Sequence, residues 1–173
     1  MKIVVTDANI LIDLCEMDLI VPFFALPYEI SVVEAVWNEL SFNQQQKYTG
    51  HVDSGRFGFV KQEDVDLMAV AEIKTSRNQL SIADCSSLVY AEDVDGILLT
   101  SDKNLRTTAC SRGVDVHGHL WVFDEMVGIQ SITPQVAIEK LTELRTVINP
   151  KLGLPANECE RRLKVWQEEI VLP

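Results

Sequence analysis

Two segments of the chain share one pattern, an apolar run that ends in an aspartate. One is VVTDANI at residues 4–10, and the other is LLTSDKNL at residues 98–105. Both runs are typical of buried strands, which end just before Asp7 and Asp102. If these strands lie parallel in one sheet, their carboxyl ends face the same crevice, where open α/β sheets bind ligands. The pattern therefore predicts an α/β fold with two carboxylates at one sheet edge.

The rest of the chain alternates short apolar runs with helical patterns, which is typical of a parallel sheet with crossover helices. We expect strands at residues 2–6, 29–32, 57–61, 97–100 and 114–116. We expect helices at residues 9–15, 33–40, 64–75, 82–92, 103–111, 120–126, 134–147 and 156–170. Residues 41–58 are polar and contain several glycines, which predicts a mobile loop.

Length and composition suit one compact core. The chain has 173 residues, of which 47% are hydrophobic. We expect a main domain over residues 1–130 and a helical extension over residues 131–173 that packs on the same domain. No apolar run approaches the roughly 20 residues that cross a bilayer. Because Asp7 and Asp13 interrupt the apolar N-terminal stretch, we expect neither a signal peptide nor contact with a membrane.

The cysteines and histidines do not form a recognisable zinc or disulfide pattern. The four cysteines are scattered and lack C-x-x-C spacing, which favours reduced thiols in a cytoplasmic protein. His117 and His119 form an H-x-H pair, which on a strand places both rings on one face. A zinc site is nevertheless disfavoured, because no third ligand stands near them in the sequence.

The charge of the chain constrains any role on nucleic acid. A formal net charge of −11 ordinarily argues against a polyanionic partner, because Lys and Arg drive phosphate binding. Residues 1–139 hold 9 Lys and Arg against 21 Asp and Glu, whereas residues 140–173 hold 6 against 5. Such a role needs metal ions that supply positive charge. Near the second aspartate segment, Lys103, Arg106 and Arg112 either steer phosphate or occupy a solvated helix face.

Each candidate acid also has a structural interpretation. Asp7 and Asp102 can cap the helices that follow them, because aspartate at that position accepts backbone N–H bonds. Asp84 completes an S-x-x-D capping box that begins at Ser81. Glu39 can be a solvated charge at a helix end. The joint placement of these acids at predicted strand and helix ends favours a shared site.

The order of these residues resembles that of the PIN-domain family over most of the chain. The matching motifs are D-x-N at Asp7 and Asn9, V-x-x-E-L at residues 36–40, the helix-opening Asp84, and T-x-D at Thr100 and Asp102. The segment HGHL at residues 117–120 is similar to a continuation in a prokaryotic subgroup related to VapC-type toxins. That segment is usually glycine-rich and basic, whereas Asp124 and Glu125 replace basic residues here.

The resemblance implies a three-layer α/β/α fold and a ribonuclease that depends on Mg²⁺ or Mn²⁺. Asp7, Asp84 and Asp102 then hold one or two cations, and Glu39 completes the ring directly or through water. Proteins of this family are often dimeric and paired with an antitoxin. The expected partners are therefore an RNA substrate, a basic antitoxin and a second copy of the chain.

Three further residues have supporting roles in this interpretation. Asn9 either orients Asp7 or serves as a cap residue, and Thr100 or Ser101 either positions water and phosphate or belongs to a turn. A second hypothesis, from another class of function, is a catalytically silent PIN module that binds a protein partner. The acidic charge and the C-terminal helices suit that alternative, whereas the intact carboxylates favour the enzyme.

Overall fold

The computed structural model describes residues 2–171 and the side chains of residues 2–170. Its centre is a five-stranded sheet in the order β3-β2-β1-β4-β5, and every neighbouring pair is parallel. The strands are β1 (Ile3–Thr6), β2 (Glu29–Val33), β3 (Phe57–Val60), β4 (Ile97–Leu99) and β5 (Asp115–His117). The predicted α/β class with a mainly parallel central sheet is confirmed.

Ten α-helices accompany the sheet within residues 2–171. They are α1 (Ala8–Glu16), α2 (Ile20–Phe24), α3 (Glu34–Trp37), α4 (Phe42–Asp53), α5 (Leu67–Ser76), α6 (Ile82–Asp93), α7 (Lys103–Ser111), α8 (His119–Gly128), α9 (Pro134–Glu143) and α10 (Ala156–Val171). A 3-10 turn covers Gln62–Asp64, and a π-helical turn covers Leu144–Ile148. None of the helices in this part of the chain is both long and apolar enough to span a membrane.

The chain forms two compact units. The first consists of residues 2–12 and 27–118, and it contains the whole sheet. The second consists of residues 13–26 and 119–171, and it contains α2, α8, α9 and α10. The proposed division into residues 1–130 and 131–173 stays a prediction.

The central residues of β1 and β4 are apolar and buried, as expected for parallel strands that are covered on both faces. Val4 and Val5 of β1 and Leu98 and Leu99 of β4 are at most 1% exposed. Helix α6 packs against β1, β2 and β4, and its buried face is rich in small residues such as Ala83. Small side chains allow a helix to approach a sheet closely, so α6 is held against the centre of the fold.

The prediction of a mobile loop over residues 41–58 is wrong, because most of this segment is helix α4. Ser41 and Gln44 form a capping box: Ser41 N donates to Gln44 Oε1 at 2.9 Å, and Gln44 N donates to Ser41 Oγ at 3.4 Å. Tyr48 is completely buried. Its hydroxyl donates to the carbonyl of Leu11 at 2.6 Å, and its ring packs against Phe57. A capped N-terminus and one buried aromatic anchor thus hold a largely polar helix in place.

Several predicted helix ends also differ from the structure. The helix expected over residues 33–40 ends at Trp37, so Glu39 lies in the turn that follows α3. The helix expected from residue 64 begins at Leu67, where the Asp66 side chain caps it. The helix expected over residues 134–147 is α9 up to Glu143, followed by the π-helical turn. Local capping interactions determine where these helices begin and end more strongly than the spacing of apolar residues does.

In the second unit, a buried polar cluster joins α1, α8 and the residue after the π-helical turn. Asp13 is 3% exposed and His119 is 2% exposed, and His119 Nε2 lies 3.0 Å from Asp13 Oδ2. Asn149 Nδ2 donates to both carboxylate oxygens of Asp13, at 3.0 and 3.3 Å. The H-x-H pair is therefore divided, since His117 instead lies 3.0 Å from Asp115 Oδ1 at the end of β5.

An ion pair connects α8 to α10 in the same unit. Arg162 Nε and Nη2 donate to the carboxylate of Asp124, with the shortest distance at 2.6 Å. Nearby, Phe123 packs against Trp166, with ring centroids 6.1 Å apart. Asp124 therefore has a structural role here.

Candidate functional site

Asp7 stands where β1 ends and α1 begins. Its backbone N–H donates to the carbonyl of Leu99 at 3.0 Å, which joins the ends of β1 and β4. The side chain is buried, with 3% of the residue exposed. Its Oδ1 accepts from the backbone N–H of Ile10 at 3.1 Å, and its Oδ2 accepts from the hydroxyl of Thr100. All these contacts fix the orientation of the Asp7 carboxylate.

One hydroxyl group links the two aspartate segments. Thr100 is completely buried, and its Oγ1 donates to Asp7 while accepting from the backbone N–H of Asp102 at 3.0 Å. Asp102 in turn caps α7, because its Oδ1 accepts from the N–H of Leu105 at 2.7 Å. The parallel register of β1 and β4 therefore brings Asp7 and Asp102 to the same edge of the sheet.

Glu39 and Asp84 lie at the same edge. Asp84 is the third residue of α6 and closes a capping box, since its Oδ2 accepts from the backbone N–H of Ser81 at 2.7 Å. The pKa of Glu39 is raised by partial burial first, then by the negative charge of Asp84, and then by that of Asp7. Asp84 and Asp7 are thus close enough to Glu39 to oppose its ionisation, and the Thr100 hydroxyl connects Asp102 to Asp7.

The capping interpretation of the three aspartates is correct. Asp7, Asp84 and Asp102 each accept a backbone N–H bond at the start of a helix. Each of these bonds uses one oxygen, whereas a carboxylate has two oxygens with several acceptor positions. Capping and cation binding are therefore compatible, and the caps hold the acids at defined positions.

The other predicted residues occupy different kinds of environment. Asn9 is exposed on the first turn of α1, and Lys103 is exposed on the first turn of α7. Ser101 is half-buried between Thr100 and Asp102. Asn9 and Lys103 are therefore accessible to solvent at this edge of the sheet.

The two arginines near the second aspartate segment are both engaged. Arg106 Nη1 donates to the carbonyl of Thr100 at 2.9 Å. Arg112 forms two bonds to Glu92, at 2.5 and 2.8 Å, and this pairing is the largest cause of the raised pKa of Arg112. The charge of Arg112 is thus balanced by Glu92. Arg106 instead bonds to the backbone of Thr100, the residue whose hydroxyl links the two aspartates. The sequence does not reveal this contact, because it depends on the Arg106 side chain reaching from α7 back to the residue after β4.

The chemistry of the edge fits a hard divalent cation. Its acidic groups supply oxygen atoms, which Mg²⁺ and Mn²⁺ prefer. Cys85 does not add a thiolate, because burial and, secondarily, the charge of Asp84 raise the pKa of its thiol. Among the described residues, no three His, Cys, Asp or Glu side chains are arranged so that they could hold a metal ion. The acids at this edge match such a cation in the type of their ligand atoms, not in a preformed arrangement.

Glu39→Gln is expected to alter the pH dependence of stability in the metal-free protein. A raised carboxyl pKa means that folding favours the protonated form, so Glu39 stabilises the fold below its ordinary pKa of 4.5. This contribution is lost as pH rises through the folded pKa. The glutamine variant should therefore become more stable relative to the original protein as pH rises, measured by urea unfolding in EDTA at acidic and neutral pH.

The control is Glu16→Gln, which replaces an exposed glutamate on α1. We expect no comparable pH-dependent change in this variant. An equal stability difference for Glu39→Gln at both pH values would contradict the raised pKa of Glu39.

Comparison with known proteins identifies the family of the chain. A family model described as a PIN domain matches residues 3–165, and the chain belongs to this family. A comparison with curated proteins found no match. The chain is similar to a solved PilT N-terminus domain protein from the hyperthermophilic archaeon Sulfolobus solfataricus P2, with 12% identity and a TM-score of 0.40. That similarity covers 74% of this chain and 93% of the other. PIN domains are generally nucleases, so the fold is of a nuclease type.

Proposed function

We propose that this PIN-domain protein is a Mg²⁺- or Mn²⁺-dependent endoribonuclease whose site is the edge formed by Asp7, Glu39, Asp84 and Asp102. The observation that carries the proposal is the link between Asp7 and Asp102 through the Thr100 hydroxyl, with Glu39 close enough to Asp84 and Asp7 for their charges to help raise its pKa. A set of acids that repel one another is stabilised by a bound cation. We assign cation binding to the three aspartates, with Glu39 beside them.

A divalent cation held by Asp7, Asp84 and Asp102 would supply positive charge for the phosphoryl oxygens and would make a nearby water more acidic. The residues of the chain have separate tasks around it. Asp7 keeps one orientation because Thr100 and Ile10 hold its two oxygens. A carboxylate oxygen of Glu39 would accept a proton from the water that bonds to phosphorus, which its raised pKa favours. The bond from phosphorus to the 3′ oxygen would break, and that oxygen would leave as a hydroxyl after taking a proton from solvent. Lys103, exposed on the first turn of α7, attracts the RNA phosphates.

We extend this proposal to the toxin of a toxin–antitoxin pair that acts as a homodimer. The support is the acidic balance of residues 1–139, with 9 Lys and Arg against 21 Asp and Glu. A basic antitoxin segment would place Arg or Lys near Asp7, Asp84 and Asp102 and so compete with cation or RNA. Electrostatic attraction of this kind weakens with salt, so an antitoxin that co-purifies from the native source should bind less rapidly at higher ionic strength.

A silent PIN module that serves as a protein-binding scaffold is the second candidate function. The observation that favours it is the capping role of all three aspartates. A helix cap contributes stability by itself, so the acids have a use even without catalysis.

Cleavage of single-stranded RNA, measured with Mn²⁺, with Mg²⁺ and with EDTA, separates the two functions. The enzyme should produce fragments with 5′-phosphate ends when either cation is present and none in EDTA. The same cations should raise the melting temperature, because they bind the folded protein preferentially. A folded protein that neither cleaves RNA nor responds to the cations would instead support the scaffold.

A further inference from the structure

Arg106 reaches from α7 back to the end of β4. It is half-buried, and its Nη1 donates to the backbone carbonyl of Thr100 at 2.9 Å. The N–H of the same Thr100 donates to the carbonyl of His117 at 2.8 Å. Residue 100 is therefore held at its N–H by β5 and at its carbonyl by Arg106. This is also the residue whose hydroxyl contacts both Asp7 and Asp102.

Gly118 leaves the space that this arrangement needs. A Cβ atom at Gly118 would lie 2.6 Å from Ser101 Oγ, 3.2 Å from the Thr100 carbonyl oxygen and 3.3 Å from Arg106 Nη1. The serine hydroxyl can rotate away, but the carbonyl belongs to the backbone and the guanidinium is bonded to it. An added methyl group would therefore push on both partners of the Arg106–Thr100 hydrogen bond.

We propose that Arg106 is a positioning residue for the carboxylate edge, which acts through the Thr100 carbonyl and not through contact with RNA. Arg106 holds the Thr100 peptide in place and thereby positions the Thr100 hydroxyl. That hydroxyl donates to Asp7 and accepts from the N–H of Asp102. Gly118 supports this arrangement, because it leaves room for the hydrogen bond between Arg106 and Thr100. The metal-binding side of the inference rests on the proposed function, whereas the effect on the Thr100–Asp102 segment does not.

Arginine suits this position for a physical reason. Its guanidinium is planar, remains charged and carries five N–H donors. One donor holds the Thr100 carbonyl, so the positive charge lies beside the residue whose hydroxyl contacts both Asp7 and Asp102. Groups that orient metal ligands in this way typically contribute 10- to 100-fold to metal affinity.

The first experiment compares Arg106→Met with the original protein in two measurements. Hydrogen exchange of the Asp102 amide in EDTA reports the Thr100–Asp102 segment without any metal. Mn²⁺ affinity, measured by electron paramagnetic resonance without RNA, reports the carboxylates. We expect faster exchange at Asp102 and a Mn²⁺ affinity lowered about 10-fold. Arg106→Lys should restore part of both, since an ammonium group can donate to the same carbonyl.

Lys103→Met is the matched control on the same helix, because Lys103 is exposed. It should keep the original exchange rate at Asp102 and should not weaken Mn²⁺ binding, because it removes a positive charge beside Asp102, while KM for RNA rises. A second pair of variants tests the space at residue 118. Gly118→Ala should change exchange and Mn²⁺ affinity in the same direction as Arg106→Met. Gly50→Ala should change neither, because no atom lies within 4 Å of the added Cβ.

The outcomes separate this inference from the proposed function. If the Asp102 amide of Arg106→Met exchanges at the same rate as in the original protein, the positioning role is overturned, whether or not Mn²⁺ binds. A rise in KM for RNA with unchanged Mn²⁺ affinity overturns it as well and makes Arg106 an RNA contact. If the original protein binds no Mn²⁺, the proposed function fails, while faster exchange in Arg106→Met and Gly118→Ala still supports the positioning of Thr100.

Discussion

Replacing Asp102 with asparagine is expected to reduce Mn²⁺-dependent RNA cleavage by more than about 100-fold while the protein stays folded. The substitution removes a negative charge that would bind the cation. Asparagine caps helices about as well as aspartate, so the bond from the N–H of Leu105 can persist. Loss of one charge also relieves repulsion among the acids, so the metal-free protein should keep or gain stability. Cleavage rates and urea unfolding in EDTA measure the two effects, and Asp7→Asn should behave in the same way.

Asp66→Asn is the matched control for this experiment. Asp66 caps α5 with bonds from the N–H groups of Met68 and Ala69, at 2.9 and 3.1 Å. The same substitution there changes a cap without touching the carboxylate edge, so cleavage should be unchanged. Asp102→Ala should additionally lose about 0.5 to 2 kcal/mol of stability, because alanine cannot cap the helix. Full activity in Asp102→Asn would remove Asp102 from the catalytic site and leave only its capping role.

Asp13→Ala is expected to destabilise the protein by about 3 kcal/mol or more, the second large effect. The buried carboxylate contacts His119 and accepts two bonds from Asn149. Alanine would leave the buried His119 and the half-buried Asn149 without this acceptor, and a buried polar group that loses its partner costs stability through desolvation. Chemical unfolding of the variant and the original protein measures the difference.

Two variants define the meaning of that result. Asp13→Asn keeps the shape and one carbonyl acceptor, so it should lose less stability than Asp13→Ala. Glu16→Ala changes an exposed residue on the same helix and should stay within about 0.5 kcal/mol of the original. If Asp13→Ala unfolds at the same urea concentration as Glu16→Ala, the buried cluster does not stabilise the second unit.

The strands could be predicted from the sequence because they are buried on both faces. The apolar runs before Asp7 and Asp102 match β1 and β4 closely, and two aspartates at parallel strand ends must share an edge when the strands are neighbours. The adjacency itself is a result of the fold. The neighbouring positions of β1 and β4, and the hydroxyl of Thr100 between the two acids, are visible only in three dimensions.

Helix α4 shows why residues 41–58 were harder to predict. The segment is polar and contains glycines, so composition favours a loop. The S-x-x-Q capping box at Ser41 and Gln44 was a local signal for a helix start. The anchor that holds the helix is Tyr48, whose hydroxyl bonds to Leu11, far away in sequence. Such a tertiary contact overrides a weak local preference and leaves no periodic pattern.

The candidate acids show a similar division. Their capping motifs could be recognised in the sequence, and each capping bond is present in the structure. The position of Glu39 was less predictable, because the helix that precedes it ends at Trp37 and a turn carries the carboxylate. The contact of Arg106 with Thr100 was not predictable, since a sequence pattern does not distinguish an arginine that faces solvent from one that bonds to the backbone.

Equilibrium binding of Mn²⁺ to the RNA-free protein tests the central claim most directly. The original protein should bind Mn²⁺, Asp66→Asn should bind it with equal affinity, and Asp7→Asn should bind it at least about 10-fold more weakly. Melting curves of the same samples confirm that each variant is folded. Equal Mn²⁺ affinity in Asp7→Asn and the original protein, or no binding by the original protein, would contradict a metal-dependent site at this carboxylate edge.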